Sequence, residues 1–382
     1  MSDLTQRLSK LSPDKVNLLL QQIKQSKQEA GQNSPSQVVE NRPFVPEDEN
    51  FALRVGKTGD LNSLKFQVCP RLAPRRGEVE VQVCAASLNF RDVLIALGLY
   101  PTAPGKVTLL GSDCAGRVVS VGEGVDEFRI GDEVLLWTGD AFTAFTTNPV
   151  STVAHKPAGM SFVEAATIPT VFLTAYYSLH YLARLSRGER ALIHSAAGGV
   201  GLAATQIAQW LGAEVIATVG NAEKREYLRS LGVELIANSR NPDFDLEVKE
   251  LTGGQGLDVV LNSLAGEAIP KGLSLLRSLG RFIELGKRDL YSKGHLDFSL
   301  FRKFVSFIAI DIAPVAVYRP ALFHSMVVEI MDHFAAGTFK IPPIREFAIG
   351  EINSAFAYMS KSEHIGKIAI RVEDEEVLVA AQ

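Results

Sequence analysis

Residues 191–219 constrain this chain more than any other stretch. Ala191-Leu192-Ile193-His194 reads as a buried strand, Ala196-Ala197-Gly198-Gly199-Val200-Gly201 as a small-residue turn, residues 199–211 as a helix, and Glu214-Val215-Ile216-Ala217-Thr218-Val219 as a second strand. Two strands joined through a helix run parallel, and a parallel sheet needs helices on both faces. The rhythm continues with a helix beginning near Ala222 and strands at Leu257–Leu261 and Arg281–Glu284. This predicts an α/β, doubly wound parallel sheet over 169–309.

Against the pattern G-x-G-x-x-G the turn matches at Gly198 and Gly201, with Ala196 in the first position. Small residues let backbone approach a pyrophosphate, whose charge then meets the N–H groups at the helix N-terminus. Glycine clusters also form plain turns, but this one lies between a strand and a helix. It therefore predicts a dinucleotide site at Ala196, Gly198, Gly199, Val200 and Gly201. An acid at the end of the next strand would select NAD by binding the ribose 2′-hydroxyl. Here that end reads Val219-Gly220-Asn221-Ala222-Glu223-Lys224-Arg225. With no acid before Glu223, and with Lys224 and Arg240 close in sequence, a 2′-phosphate is the better fit and NADPH the expected cofactor. The competing reading makes these cations solvated helix-face charges.

The chain has 382 residues, enough for two domains. Its 39 Lys+Arg against 43 Asp+Glu leave no basic footprint for nucleic acid. Cys69, Cys84 and Cys114, without a C-x-x-C, build neither a disulfide framework nor a four-cysteine zinc lobe, and they suit a reducing cytoplasm. The start, Met1-Ser2-Asp3-Leu4, lacks a secretory pattern. The apolar run Phe304–Val317 is broken by Asp311 and Pro314 and is too short to span a bilayer, so a soluble protein is expected with no membrane partner.

Residues 13–27 carry Val16, Leu19, Leu20 and Ile23 at helical spacing, and Gly31, Pro35, Pro43 and Pro46 follow among polar residues. Residues 1–48 thus read as an amphipathic helix and linker, either a module-boundary remnant or a docking helix. From about 50 to 160 short alternating strands predict a small open β-barrel: Glu78–Val83, Ala115–Gly122 and Asp132–Leu136. The closing run Lys367–Val372 is expected to return to that barrel, giving a substrate domain of 49–168 and 310–382.

Four segments carry a resemblance to the medium-chain dehydrogenase/reductase superfamily: Asn89-Phe90-Arg91-Asp92, Gly111-Ser112-Asp113-Cys114-Ala115-Gly116, the phosphate turn, and Gly366-Lys367. The resemblance implies a GroES-like β-barrel substrate domain beside a Rossmann domain. Zinc members keep a metal-binding Cys near the first segment and G-H-E at the second. Asn89-Phe90 and Gly111-Ser112-Asp113 stand there instead, so no catalytic zinc is expected. Within the zinc-free branch, the run Leu88–Pro101, Asn262-Ser263-Leu264-Ala265-Gly266 and Phe282–Asp289 are similar to the enoyl reductase domains of modular polyketide synthases.

That resemblance implies reduction of an α,β-unsaturated thioester on acyl carrier protein, beside neighbouring synthase domains, with NADPH. It places Tyr100 as the proton donor to Cα, Lys287 as an acid or enolate-stabilising cation, and Asp311 as its partner. Asp311 interrupts an apolar run and needs a partner if buried. Asn89, Thr174, Asn262, Leu285, Gly286 and Lys367 are placed along the cofactor cleft. Each has a plainer reading: Tyr100 as a channel wall, Lys287 as a surface lysine beside Arg288, Asp311 as a cap. His194 and Cys114 read as core. Three other functions share this frame: cyclopropane closure of a γ-chlorinated enoyl thioester, a soluble quinone or alkenal reductase, and a structural protein without turnover.

Overall fold

The computed structural model describes residues 41–44, 49–101, 109–291 and 295–380. The chain divides into two units, Met1–Glu40 and Asn41–Gln382, and every described residue falls in the second. The helix expected at 13–27 and most of the expected linker lie outside the described residues. Within the span read as linker, Asn41–Pro43 is instead a strand, paired antiparallel with Leu378–Ala380 at the edge of a sheet. An edge position is where a strand tolerates the missing N–H of Pro43.

Six parallel strands form the nucleotide-binding sheet, in the order Leu235–Asn238, Glu214–Val219, Arg190–Ile193, Leu257–Asn262, Leu276–Glu284, Ser306–Ala309. Both faces are covered, and the strand residues divide accordingly. Ala191, Ile193, Val259 and Leu261 join one apolar cluster, while Leu192 and Val260 between them join another. The order reverses about Arg190–Ile193, which has Glu214–Val219 on one side and Leu257–Asn262 on the other. The crevice at the carboxyl end of such a switch point is where open α/β sheets take ligands.

The barrel half is mainly antiparallel. Its larger sheet runs Ile344–Ala348, Lys367–Arg371, Glu78–Leu88, Asp113–Val121, Glu133–Trp137, Val153–His155, with Phe145–Pro149 also on Glu78–Leu88. A four-stranded sheet (Asn41–Pro43, Leu378–Ala380, Leu64–Cys69, Asn50–Val55) packs beside it. The buried Asn50 joins the two by accepting from the backbone N–H of Ala144 and Phe145 and donating to the Phe145 carbonyl. As expected, Lys367–Arg371 returns to the barrel, antiparallel to Ala85–Leu88.

Residues 310–339 pack against both halves: Phe323 lies against Trp137 of the barrel, 5.7 Å between ring centres, and Met331 packs on the barrel residues Ala85, Ala115 and Leu135. The helix Pro320–Ala335 buries Phe323, Met326, Val327 and Ile330, spaced i, i+3, i+4, i+7, in the cluster that covers the nucleotide-binding sheet. Ile310, Ile312, Val315 and Phe339 join the same cluster. The chain re-enters the barrel sheet at Ile344.

Candidate active site

The phosphate turn is held from both halves. Ser195 takes a positive φ of 53° as the chain leaves the strand, and Gly198 caps the twelve-residue helix Gly199–Trp210 without a side-chain bond and with no acid in the first turn. No acid of the helix's own first turn competes for its N-terminal N–H groups. A Cβ at Gly201 would lie 2.5 Å from the Ala196 Cα, so helix and turn pack only with glycine there. At Gly199 it would meet the Lys367 and Val171 side chains at 2.8 and 2.9 Å. At Gly198 the nearest atom, the Ser195 carbonyl oxygen, would be 3.4 Å away. The protein's own packing leaves room at Gly198, which fits close approach of a pyrophosphate. Gly366 N donates to the Ala197 carbonyl at 2.9 Å, fastening the barrel's returning strand to the turn.

At the end of the second strand, Asn221 caps the next helix by accepting from Lys224 N. The Arg240 guanidinium lies against Gly220, with Nε 3.0 Å from a Cβ built there. Lys224 Nζ donates to the Ser362 carbonyl at 2.7 Å. Burial, then the nearby Arg240, pulls the Lys224 pKa down. His364 sits close to Lys224 and Lys367; burial and these two cations hold it neutral with a pKa of about 4, and its buried Nδ1 has no partner among the described residues. Sequence reading missed His364, since a lone histidine in a loop carries no spacing signal.

Three residues expected along the cofactor cleft make buried hydrogen bonds within the protein. Lys367 is 2% exposed; its ammonium donates to the Leu88 carbonyl and Asn89 Oδ1, both at 2.8 Å, and pairs with Asp113 at 3.4 Å. Only its carbon stem reaches the phosphate turn. The Asn89 amide donates to Asp113 at 2.8 Å, so both ends of that side chain are engaged. Asn262 is fully buried and donates to the Leu264 carbonyl and to Glu284 Oε2, each at 2.7 Å. Leu285 N donates to the Asn262 carbonyl, and Gly286 N to Glu284 Oε1. Glu284 thus ties the ends of two neighbouring strands and shapes the Leu285–Gly286 segment. Burial pushes its carboxyl up to about 7, against the lowering effect of its hydrogen bonds. The signal for it in sequence is an acid inside the apolar strand Phe282-Ile283-Glu284-Leu285. Thr174 is half-buried on the helix Pro169–Tyr176, one turn beyond Thr170, whose N–H donates to Asp113.

Beyond Gly286 the structure brings Lys287 and Asp311 together. Nζ lies 3.0 Å from Asp311 Oδ2 and donates to the Ile310 carbonyl at 2.9 Å, the partnership that the family resemblance implies. Asp311 also caps the helix Ile312–Tyr318 by accepting from Ala313 N, so the plainer reading of it holds as well. Tyr100 lies close enough that Asp311, after burial, raises its pKa, while Arg91 opposes the rise. The Arg91 guanidinium sits over the Tyr100 ring, 5.3 Å from its centroid, and donates to Ser112 Oγ at 3.1 Å. In sequence Arg91 is one letter of a family motif, with nothing to set it apart from its neighbours. His194 is buried and neutral, its pKa lowered to about 3 by burial, with Nδ1 3.0 Å from the Thr218 hydroxyl; Cys114 is core.

Residues 75–175 match the alcohol dehydrogenase GroES-like domain family, and residues 199–332 the zinc-binding dehydrogenase family. The crystal structure of CurK enoyl reductase is 41% identical, with a TM-score of 0.77, covering 85% of this chain and 99% of that one. This chain belongs to the polyketide synthase enoyl reductases. The CurF enoyl reductase cyclopropanase from the curacin A biosynthetic pathway is 38% identical (TM-score 0.78, 84% and 99% covered). A phenolphthiocerol/phthiocerol polyketide synthase of Mycobacterium tuberculosis is 41% identical over 320 residues, 84% of this chain and 15% of that protein. This enoyl reductase therefore spans about one seventh of the curated synthase it matches. Escherichia coli quinone oxidoreductase, solved with NADPH, is 26% identical (TM-score 0.76, 84% and 100% covered).

The protein is an oxidoreductase that uses a nicotinamide cofactor, and the turn, its helix and its glycines fit one. The zinc in the second family's name does not fit. Asp113, fully buried, accepts from Ser87, Asn89 and Thr170 and is paired with the Lys367 ammonium, so its oxygens are already taken by donors. No three His, Cys, Asp or Glu converge among the described residues to hold a metal. Likewise no helix among the described residues is long and apolar enough to cross a membrane.

Proposed function

We propose that this enoyl reductase uses NADPH to reduce an α,β-unsaturated acyl thioester carried on acyl carrier protein, in the cytoplasm and beside neighbouring synthase domains. The observation that carries this reading is the pairing of Lys287 with Asp311 beyond the carboxyl ends of two strands of the parallel sheet, with Tyr100 close to Asp311. A bound dihydronicotinamide supplies hydride to Cβ. Ala196, Gly198, Gly199, Val200 and Gly201 cradle the pyrophosphate; Lys224 and Arg240 receive the 2′-phosphate; Thr174, Leu285 and Gly286 border the nicotinamide. Asn89, Asn262 and Lys367 act behind that surface, holding the cleft's shape.

Tyr100 protonates Cα in this reading. Its raised pKa keeps the phenol protonated at neutral pH, and solvent restores the proton afterwards. Lys287, held in place by Asp311, presents a fixed dipole beside the reacting carbons. Exposed apolar side chains flank these residues along the chain, Phe90 and Leu99 before Tyr100 and Leu290 and Tyr291 after Lys287, and they suit an acyl chain. The identity to the CurK enoyl reductase supports plain reduction, and the run Leu88–Pro101 speaks against quinone reduction.

The test is cofactor oxidation with a crotonyl-type thioester, with and without a γ-chlorine, and with a quinone. A saturated acyl product, with NADPH preferred over NADH and that preference lost in Lys224→Ala/Arg240→Ala, is expected. A cyclopropane product or a preference for quinone would overturn the reading.

A further inference from the structure

Lys287 and Arg91 both lie near Tyr100 and Asp311, and the surroundings of these two cations differ. Lys287 meets the Asp311 carboxylate at 3.0 Å and the Ile310 carbonyl at 2.9 Å, so its charge is balanced and two of its donors are engaged. Arg91 donates to the neutral Ser112 hydroxyl and lies against the Tyr100 ring. Among the described residues no carboxylate comes within ion-pair distance of it. Its chain neighbour Asp92 is fully buried and turns both oxygens to backbone, accepting from Asn89 N and Gly111 N at 2.9 Å. Asp113, next to Ser112, is taken up by Lys367, Asn89, Ser87 and Thr170. A guanidinium has five N–H donors, and Ser112 uses one.

Reduction of an enoyl thioester develops negative charge on the thioester oxygen, and a fixed, unneutralised donor stabilises that charge more than a pair whose own charges cancel. We propose that Arg91 is the donor that receives the thioester carbonyl oxygen. The inference rests on the enoyl-thioester reading above. As hydride adds to Cβ, the C=C electron pair shifts to form the enolate, with its charge on the oxygen held by Arg91. That pair then takes a proton at Cα, and Arg91 remains protonated throughout. One hydride and one proton are consumed for each double bond reduced. The Ser112 hydroxyl and the Tyr100 ring hold the guanidinium in place.

An acetoacetyl thioester tests this without cofactor or turnover, because its enolate has its own near-ultraviolet absorption. The cofactor-free wild type is expected to shift it toward enolate. Arg91→Met should abolish the shift and lower kcat on a crotonyl-type thioester by about 10²–10³-fold, the cost of one oxyanion donor. NADPH affinity should be unchanged. Arg91→Lys, which keeps charge but loses the fork, should restore part of both readouts. Lys287→Met should keep the enolate band. An undiminished band and kcat in Arg91→Met, or a loss of NADPH affinity in its place, would overturn the role of Arg91 while leaving enoyl reduction intact. Wild type that binds NADPH but turns over no enoyl thioester would overturn the underlying reading instead.

Discussion

Two lysine–aspartate pairs, Lys367–Asp113 and Lys287–Asp311, lie along the same cleft and differ in almost everything but composition. The first is sealed, with side chains 3% and 0% exposed; the second is open, at 18% and 36%. Around the first, the Leu88 carbonyl, Asn89, Ser87 and Thr170 complete the hydrogen bonding. Around the second, Asp311 caps a short helix and Lys287 keeps donor capacity toward the cleft. A buried, fully bonded ion pair orders the structure around it and has nothing left for a substrate. A half-exposed pair contributes little to stability, and Lys287, though its charge is balanced, keeps a third N–H beyond the two already engaged. The difference teaches that a lysine on a cofactor-lining motif is assigned by where its ammonium goes, and here the two ammoniums go to opposite kinds of work.

The sharpest way to break this comparison is to remove each lysine in turn. Lys367→Met leaves Asp113 buried with no cation, and breaking such a pair costs about 3–5 kcal/mol. Urea denaturation should show that loss, or the variant should fail to accumulate as folded protein. Lys287→Met should change stability by less than about 1 kcal/mol, as exposed pairs do. Equal losses in the two variants would show that exposure does not separate their roles.

Activity inverts the order. Lys287→Met, folded and stable, should lower kcat by about 10²-fold, at the low end for a group assisting proton transfer, and Asp311→Asn by less because Lys287 keeps its charge. Tyr100→Phe should lower kcat while leaving NADPH affinity unchanged. Full turnover in all three, measured by NADPH oxidation under saturating thioester, would leave hydride positioning as the main device and remove the contrast between the pairs.

Much of this is legible in the residues without the fold, and the failures share a cause. The parallel sheet, the phosphate turn and the barrel announce themselves through period and spacing, which are local properties. The meeting of Lys287 with Asp311 follows from family spacing and an acid inside an apolar run. The burial of the Lys367 ammonium does not follow, because Leu88, Asn89 and Asp113 reach it from more than 250 residues away in the chain. Arg91 is hidden for a related reason: what sets it apart is that no carboxylate among the described residues pairs with it, and that is a property of the folded surroundings. Residues 310–339 touch both halves, which sequence does not show, because an amphipathic stripe reports that a face is buried without reporting against which layer.

Glu284 sharpens the comparison from a third direction, as a buried acid with hydrogen bonds but no ion pair among the described residues. Asn262 Nδ2 and Gly286 N bind its oxygens, Asp289 raises its pKa and Lys287 lowers it, and burial outweighs these, placing the carboxyl at about 7. The folded protein therefore holds this proton more tightly than the unfolded chain, whose carboxyl titrates near 4.5. Between those values the native state binds more protons, so stability falls as pH rises from about 4.5 through about 7 and is flat beyond. At about 1.4 kcal/mol for each pKa unit the loss is capped near 3 kcal/mol, and relaxation around the bound carboxylate brings it lower. Glu284→Gln removes the titration. Its stability relative to wild type should improve on going from about pH 5 to about pH 8 by up to that amount, as read from urea midpoints at each pH. Parallel curves for the two proteins would mean that the backbone N–H and the Asn262 amide solvate the anion as well as water does. In that case hydrogen bonds alone would settle a buried charge in this cleft, and the Lys367 ammonium would not be needed to hold Asp113.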